Sequence, residues 1–177
     1  MEEIVVRLGN NREIILRRLR PDDKRLLLDM FANMSEDALL WSNPPYDEEK
    51  IDRWIGSSEN GISIVAISKD RLVGIAAVYQ LLRQRQNGIG GMMIYLHQDF
   101  HGIGLGTEMT DQLLSFARDK GLHRIGLEVV EENEAAVRLY QKCGFEIEGV
   151  MRDAYFGTDN KYHNLLVMGM LFSDNLK

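Results

Sequence analysis

The chain has 177 residues, 45% hydrophobic and 27% charged, which is ordinary for a globular protein large enough to bury a core. A formal net charge of −6 argues against broad nucleic-acid binding, which calls for a basic face. The single cysteine, Cys143, forbids an intramolecular disulfide, and the apolar runs fall far short of a membrane span, so one cytoplasmic domain over residues 1–177 is expected.

Segments 2–8 and 12–19 read as two strands around a turn at residues 9–11, and the polar, acidic start is unlike a secretory signal. Pro21 and Asp22 open a helix whose inner side carries Leu26, Leu27, Met30 and Phe31. Between Ser35 and Glu59 the pattern predicts short helices, broken where Pro44 and Pro45 cannot continue one. "ISIVAIS" and "RLVGIAAVYQLL" then form a hairpin across Lys69 and Asp70. After the polar "RQRQN", "GIGGMMIYL" resumes as a strand. Apolar spacings of three and four (Leu105, Met109, Leu113, Phe116, Ala117) predict a helix over residues 107–120, ended by Gly121. "LHRIGLEVV" is the next strand. Asn133 caps a helix running to Cys143, and Gly144 closes it. "FEIEGVMRD" and "KYHNLLVMGML" pair across the turn-rich "GTDN". Hairpins first, then alternating strands and helices, predict an α/β (α+β) fold with a mixed sheet.

Between the third hairpin-like strand and the long helix lies "HGIGLG", residues 101–106. A strand, a glycine-rich turn and a helix N-terminus form a natural anion site, because backbone N–H groups converge there and the dipole favours negative charge. A pyrophosphate is the natural guest, although glycines alone also make ordinary turns. A P-loop is excluded, since no Gly-Lys-Ser/Thr follows. The dinucleotide fingerprint needs G-x-G-x-x-G, whereas Gly102, Gly104 and Gly106 give G-x-G-x-G. Glu128 does fall near the position of a ribose-binding acid, but antiparallel strands before the motif weaken that reading.

"HGIGLG" resembles the phosphate-loop signature of the GNAT superfamily of N-acetyltransferases, Arg/Gln-x-x-Gly-x-Gly/Ala after a strand. "NEAAVRLYQKCGF", residues 133–145, is similar to the superfamily's Asn-x-x-Ala-x-x-Leu-Tyr-x-x-x-Gly-Phe segment. The two motifs stand in family order, and the resemblance spans residues 72–171. In motif it comes nearest to ribosomal-protein alanine N-acetyltransferases and related amino-acid and amine acetyltransferases. It implies a mostly antiparallel central sheet flanked by helices, with acetyl-CoA as donor and a primary amine as acceptor. His101 stands where the signature has Arg or Gln, and a neutral imidazole lacks the permanent charged fork of arginine.

The resemblance also implies roles. Backbone N–H groups of Ile103, Gly104, Leu105, Gly106 and Thr107, with Gly102 and His101 beside them, would hold the pyrophosphate. Main-chain groups of Ile94 and Leu96 would hold the pantetheine arm and polarise the thioester. Glu128 in "LEV" would serve as base, on the opposite face of its strand from Leu127 and Val129. Tyr140 would protonate the thiolate, and Asn133 would cap its helix and touch the cofactor. The plainer readings are a solvent-facing Glu128 and a core Tyr140.

No metal is expected: His97 and His101 flank a strand-to-loop junction, without HExxH or paired cysteines. His123 is expected at the surface, and Cys143 in packing. Trp41, Tyr46, Trp54 and Tyr155 are candidates to line the acceptor pocket. The acceptor is a protein N-terminus, a free amino acid or a small amine. By analogy a homodimer is admissible. Two other readings stand beside this one: an acyl-CoA-binding sensor without transfer activity, and an NAD(P)-dependent enzyme.

Overall fold

The computed structural model describes residues 3–9, 11–56, 61–81 and 84–172. The early strands are β1 (Ile4–Arg7), β2 (Glu13–Arg18), β3 (Gly61–Ser68), β4 (Arg71–Gln80) and β5 (Ile89–Leu96). The later ones are β6 (Arg124–Val130), β7 (Glu146–Phe156) and β8 (Tyr162–Leu171). Helices α1 (Lys24–Ala32), α2 (Glu36–Leu39), α3 (Glu48–Gly56), α4 (Leu105–Asp119) and α5 (Glu134–Lys142) connect them. The strands form one sheet in the order β1-β2-β3-β4-β5-β6-β8-β7. Every neighbouring pair is antiparallel except β5 with β6. The dinucleotide reading required a largely parallel sheet, so the topology counts against it.

Helices cover both faces, which explains why β3 and β4 are buried almost without alternation. On the back face, Leu105, Met109 and Leu113 of α4 pack with Ile64, Ile125 and Met168, all fully buried. Each such side chain contributes about 1.5–3 kcal/mol by leaving water. On the front face, Leu27, Met30 and Phe31 of α1 and Ile51 of α3 pack on Val65 and Ile75. Leu26 joins this cluster only partly buried.

The helix expected from Pro21 begins as one 3-10 turn, Pro21–Asp23, before α1. At that corner Asp23 is buried, and Arg17 reaches both its oxygens at 2.7 and 2.6 Å. Burial works against the charged carboxylate, but the Arg17 hydrogen bonds and the Arg20 backbone N–H prevail and hold its pKa below the usual value. The corner steers α1 and α2 across the front of the sheet. Gln98 then clips their junction, receiving from Ser35 N–H at 3.1 Å and donating to the Asn33 carbonyl at 3.0 Å.

Several boundaries differ from expectation. α4 starts at Leu105, two residues early, because Gly104 occupies the N-cap position with φ +96°. β4 ends at Gln80 rather than continuing to Leu82, which lies outside the described residues. Position 10 of the first turn and residues 57–59 of the early helical stretch also lie outside them. β7 runs to Phe156, beyond Asp153, where the chain takes a positive φ of 52° and the pairing with β8 is irregular.

Candidate active site

β5 is bonded to β4 over its length, from Gly74↔Leu96 to Gln80↔Gly90, and β6 is bonded to β8 along its length. Between β5 and β6 the pairing stops after three residues, Ile89–Gly91 with Arg124–Gly126. Each half of the sheet follows its own twist beyond that point, and the strands part. His97 N–H donates to the Val73 carbonyl and Leu81 N–H to the Ile89 carbonyl, each at 2.9 Å. Odd-numbered residues of β5 therefore aim their backbone groups at β4. By alternation, Met92, Ile94 and Leu96 aim theirs into the gap.

The glycine turn opens beside the same strand end. Gly102 and Gly104 have φ of +70° and +96°, and no atom lies within 4 Å of where their Cβ atoms would stand. Gly106 answers a different demand: a Cβ there would meet Leu139 at 3.0 Å and Leu96 at 3.3 Å, where α4, α5 and β5 converge. Gly104 offers no side chain to cap α4. The first N–H groups of this 15-residue helix thus face open space with the positive end of its dipole. Ile103 turns its carbonyl away to accept from Gly9 N–H at 3.3 Å.

His101 does not extend over the turn as an arginine would. Its Nε2 lies 2.9 Å from the Leu96 carbonyl, and since a carbonyl only accepts, Nε2 carries the hydrogen. His97 is buried, and its Nδ1 accepts from Asp99 N–H at 3.3 Å. His123, expected at the surface, is half-buried with its Nδ1 enclosed and lacking a hydrogen-bond partner.

Asn133 caps α5 as expected, its Oδ1 accepting from Ala136 N–H at 3.2 Å. Two turns on, Tyr140 is buried with 7% exposure, edge-on to Phe145 at 5.7 Å. Burial pushes its phenol up to about 12. Cys143 packs half-buried against the core, and burial pushes its thiol up to about 11.

Two adjoining cavities unite these pieces. One, of about 530 Å³, passes through the gap and is lined by Ile94, Glu128, Asn133 and Tyr140. The other, of about 710 Å³, is lined by Ile94, Leu96, His101, Gly102, Gly104, Gly106, Thr107 and Asn133. Glu128 is exposed on the front side of β6, while Leu127 and Val129 are buried behind. Ile103 and Leu105 line neither cavity. The Leu105 side chain is fully buried, and Ile103 packs against the core, so only their backbones remain available.

Among the four aromatic candidates, Trp41 and Tyr155 line the first cavity. The Tyr155 hydroxyl reaches the Ser42 and Leu40 carbonyls at 2.9 and 3.2 Å. Tyr46 and Trp54 instead pack with Phe31 and Tyr95, Tyr46 stacking on Phe31 at 4.0 Å. Sequence reasoning missed Tyr95, which lines both cavities, and the cations Arg138 and Lys142, which line the second. Lys142 Nζ lies 3.5 Å from Thr107 Oγ1. Their four-residue spacing on one helix face was the available signal.

The profile of the Acetyltransferase (GNAT) family matches residues 28–145. Spermidine N(1)-acetyltransferase of Vibrio cholerae serotype O1 is 24% identical over 172 residues, covering 94% of this chain and 97% of that protein. The ribosomal-protein-S5-alanine acetyltransferase of Vibrio fischeri has the same fold, with a TM-score of 0.83 at 12% identity, covering 98% of this chain and 100% of that one. A putative acetyltransferase of Salmonella typhimurium, solved with its cofactor acetyl-CoA, gives a TM-score of 0.77 at 18% identity, covering 89% of this chain and 93% of that one. With its parted β5 and β6, glycine turn and capped α5, this chain belongs to the acetyltransferase (GNAT) family, and it is an acetyltransferase.

Proposed function

We propose that the protein transfers an acetyl group from acetyl-CoA to a primary amine by direct attack, in the gap between β5 and β6. The observation that carries this reading is the single cavity through the sheet, lined by Glu128 on the front and Tyr140 behind. The donor fits the residues present: uncapped N–H groups at the start of α4 and the open space beside Gly102 and Gly104 suit a diphosphate. Acetyl-CoA supplies an activated acetyl group as a thioester.

The residues then divide the work. Backbone N–H groups from Ile103 to Thr107 bind the diphosphate, with Lys142 adding positive charge and Asn133 lining the approach. The gap-facing main chain of Ile94 and Leu96 aligns the pantetheine arm and polarises the thioester carbonyl. His101 orients the Leu96 peptide through its hydrogen bond. Glu128 takes the proton from the incoming ammonium, freeing the nitrogen lone pair for attack. As the C–N bond forms and the C–S bond breaks, Tyr140 gives its proton to the departing thiolate, and the proton shed by the new amide nitrogen restores the phenol.

Tyr140→Phe keeps the ring and removes the acid. Turnover is expected to fall by about 10²-fold or more, with acetyl-CoA affinity unchanged by calorimetric titration. Wild-type turnover in that variant would remove Tyr140 from the acid role. Acetyl-CoA binding without thioester consumption on any amine would instead favour a sensor.

A further inference from the structure

The front half of the cavity narrows the choice of acceptor. Strand alternation turns Met93 and Tyr95 of β5 to the front, and Glu128 and Val167 face the same way across the gap as partners in the β6–β8 ladder. Trp41 and Tyr155 close the cavity from the α2 side and the β7–β8 hairpin. Among the described residues lining this cavity, Glu128 is the one carboxylate, and none is Lys, Arg or His.

Three cationic or titratable side chains near the rim are already engaged. Lys50 donates to the Asn43 carbonyl and lies 4.5 Å over the Tyr46 ring. His163 is held by Glu132 and Asp159, each at 3.0 Å. Arg124, at the closed end of the gap, is bonded to Glu148.

We propose that the acceptor is a primary amine on an apolar, aromatic-compatible body, with no carboxylate beside the nitrogen. The proposal rests on the acetyltransferase reading and specifies its substrate class. An ammonium finds Glu128, and an apolar body finds Met93, Val167 and the aromatic faces. The carboxylate of a free α-amino acid, brought in with its nitrogen at Glu128, would lie near a like charge and meet no cation among the described lining residues. A second ammonium, as in a polyamine, would find no second carboxylate among the described residues of this cavity, the other carboxylates (Asp37, Glu132 and Glu134) lining the adjoining one. Two sources share the fitting chemistry: a free arylalkylamine, and a peptide N-terminus, where an uncharged amide replaces the carboxylate.

The test compares kcat/KM with acetyl-CoA for 2-phenylethylamine, a phenylalanyl peptide amide, phenylalanine and spermidine. Phenylethylamine, the peptide or both should exceed phenylalanine by about a hundredfold, and should also exceed spermidine. The better of the two identifies the source. Phenylalanine or spermidine as the preferred acceptor would overturn the proposed class while leaving the acetyltransferase reading intact. No thioester consumption with any of the four, by protein that binds acetyl-CoA, would overturn both.

Discussion

Gly104 carries a φ of +96° beside open space, so another residue there meets a conformational penalty rather than a clash. Gly104→Ala is expected to lower unfolding free energy by about 1–2 kcal/mol in urea titration. It should also weaken acetyl-CoA binding by about tenfold, because the methyl would stand where N–H groups meet the diphosphate. Unchanged affinity would detach the turn from the donor. At this scale, residues 101–106 were legible because glycine at such positions has a backbone cause. The separate reason for Gly106 was not legible, since Leu139 and Leu96 are distant in sequence and meet it only in the fold. The position of Tyr140 on its helix was legible through the motif. Its burial, which pushes the phenol up to about 12, came only with Phe145 and the core around it.

The β7–β8 hairpin depends on a charged clamp that no local pattern announced. His163 Nδ1 meets Glu132 and Nε2 meets Asp159; both nitrogens face carboxylate oxygens, an arrangement that favours the protonated ring, in which both can donate. Hydrogen bonds to Asp159 and then Glu132 raise its pKa above the ordinary 6.5, and Trp41 lies edge-on to it at 5.0 Å. A raised folded-state pKa gives stability that is complete below the ordinary value and lost as pH rises through the raised one. His163→Gln should therefore lower the melting midpoint most near about pH 6, with the difference from wild type fading towards about pH 9. An equal deficit at both pH values would mean that the ring acts by packing alone. Strands and helices themselves were largely predictable from apolar spacing. Boundaries slipped where a glycine cap or an irregular pairing intervened, at Leu105 and Asp153.

At the scale of the whole molecule, the proposed function depends on a sheet that fails to close. The alternation in β5 and β6 reveals which side chains face front or back. It does not reveal that pairing ends after Gly91 and Gly126, because register is set by partners far along the chain. For the same reason Tyr95 escaped notice: only the parting of the strands exposes it to both cavities. In the proposed function, the gap gives the sheet a donor side carrying α4 and α5 and an acceptor side carrying Glu128 and the front aromatics. A crystal structure with acetyl-CoA bound tests this arrangement most directly. The diphosphate should lie against the amides of residues 103–107, with the thioester between Ile94 and Tyr140 and its carbonyl turned to the β5 backbone. A diphosphate bound away from that turn, or a thioester outside the gap, would contradict the account.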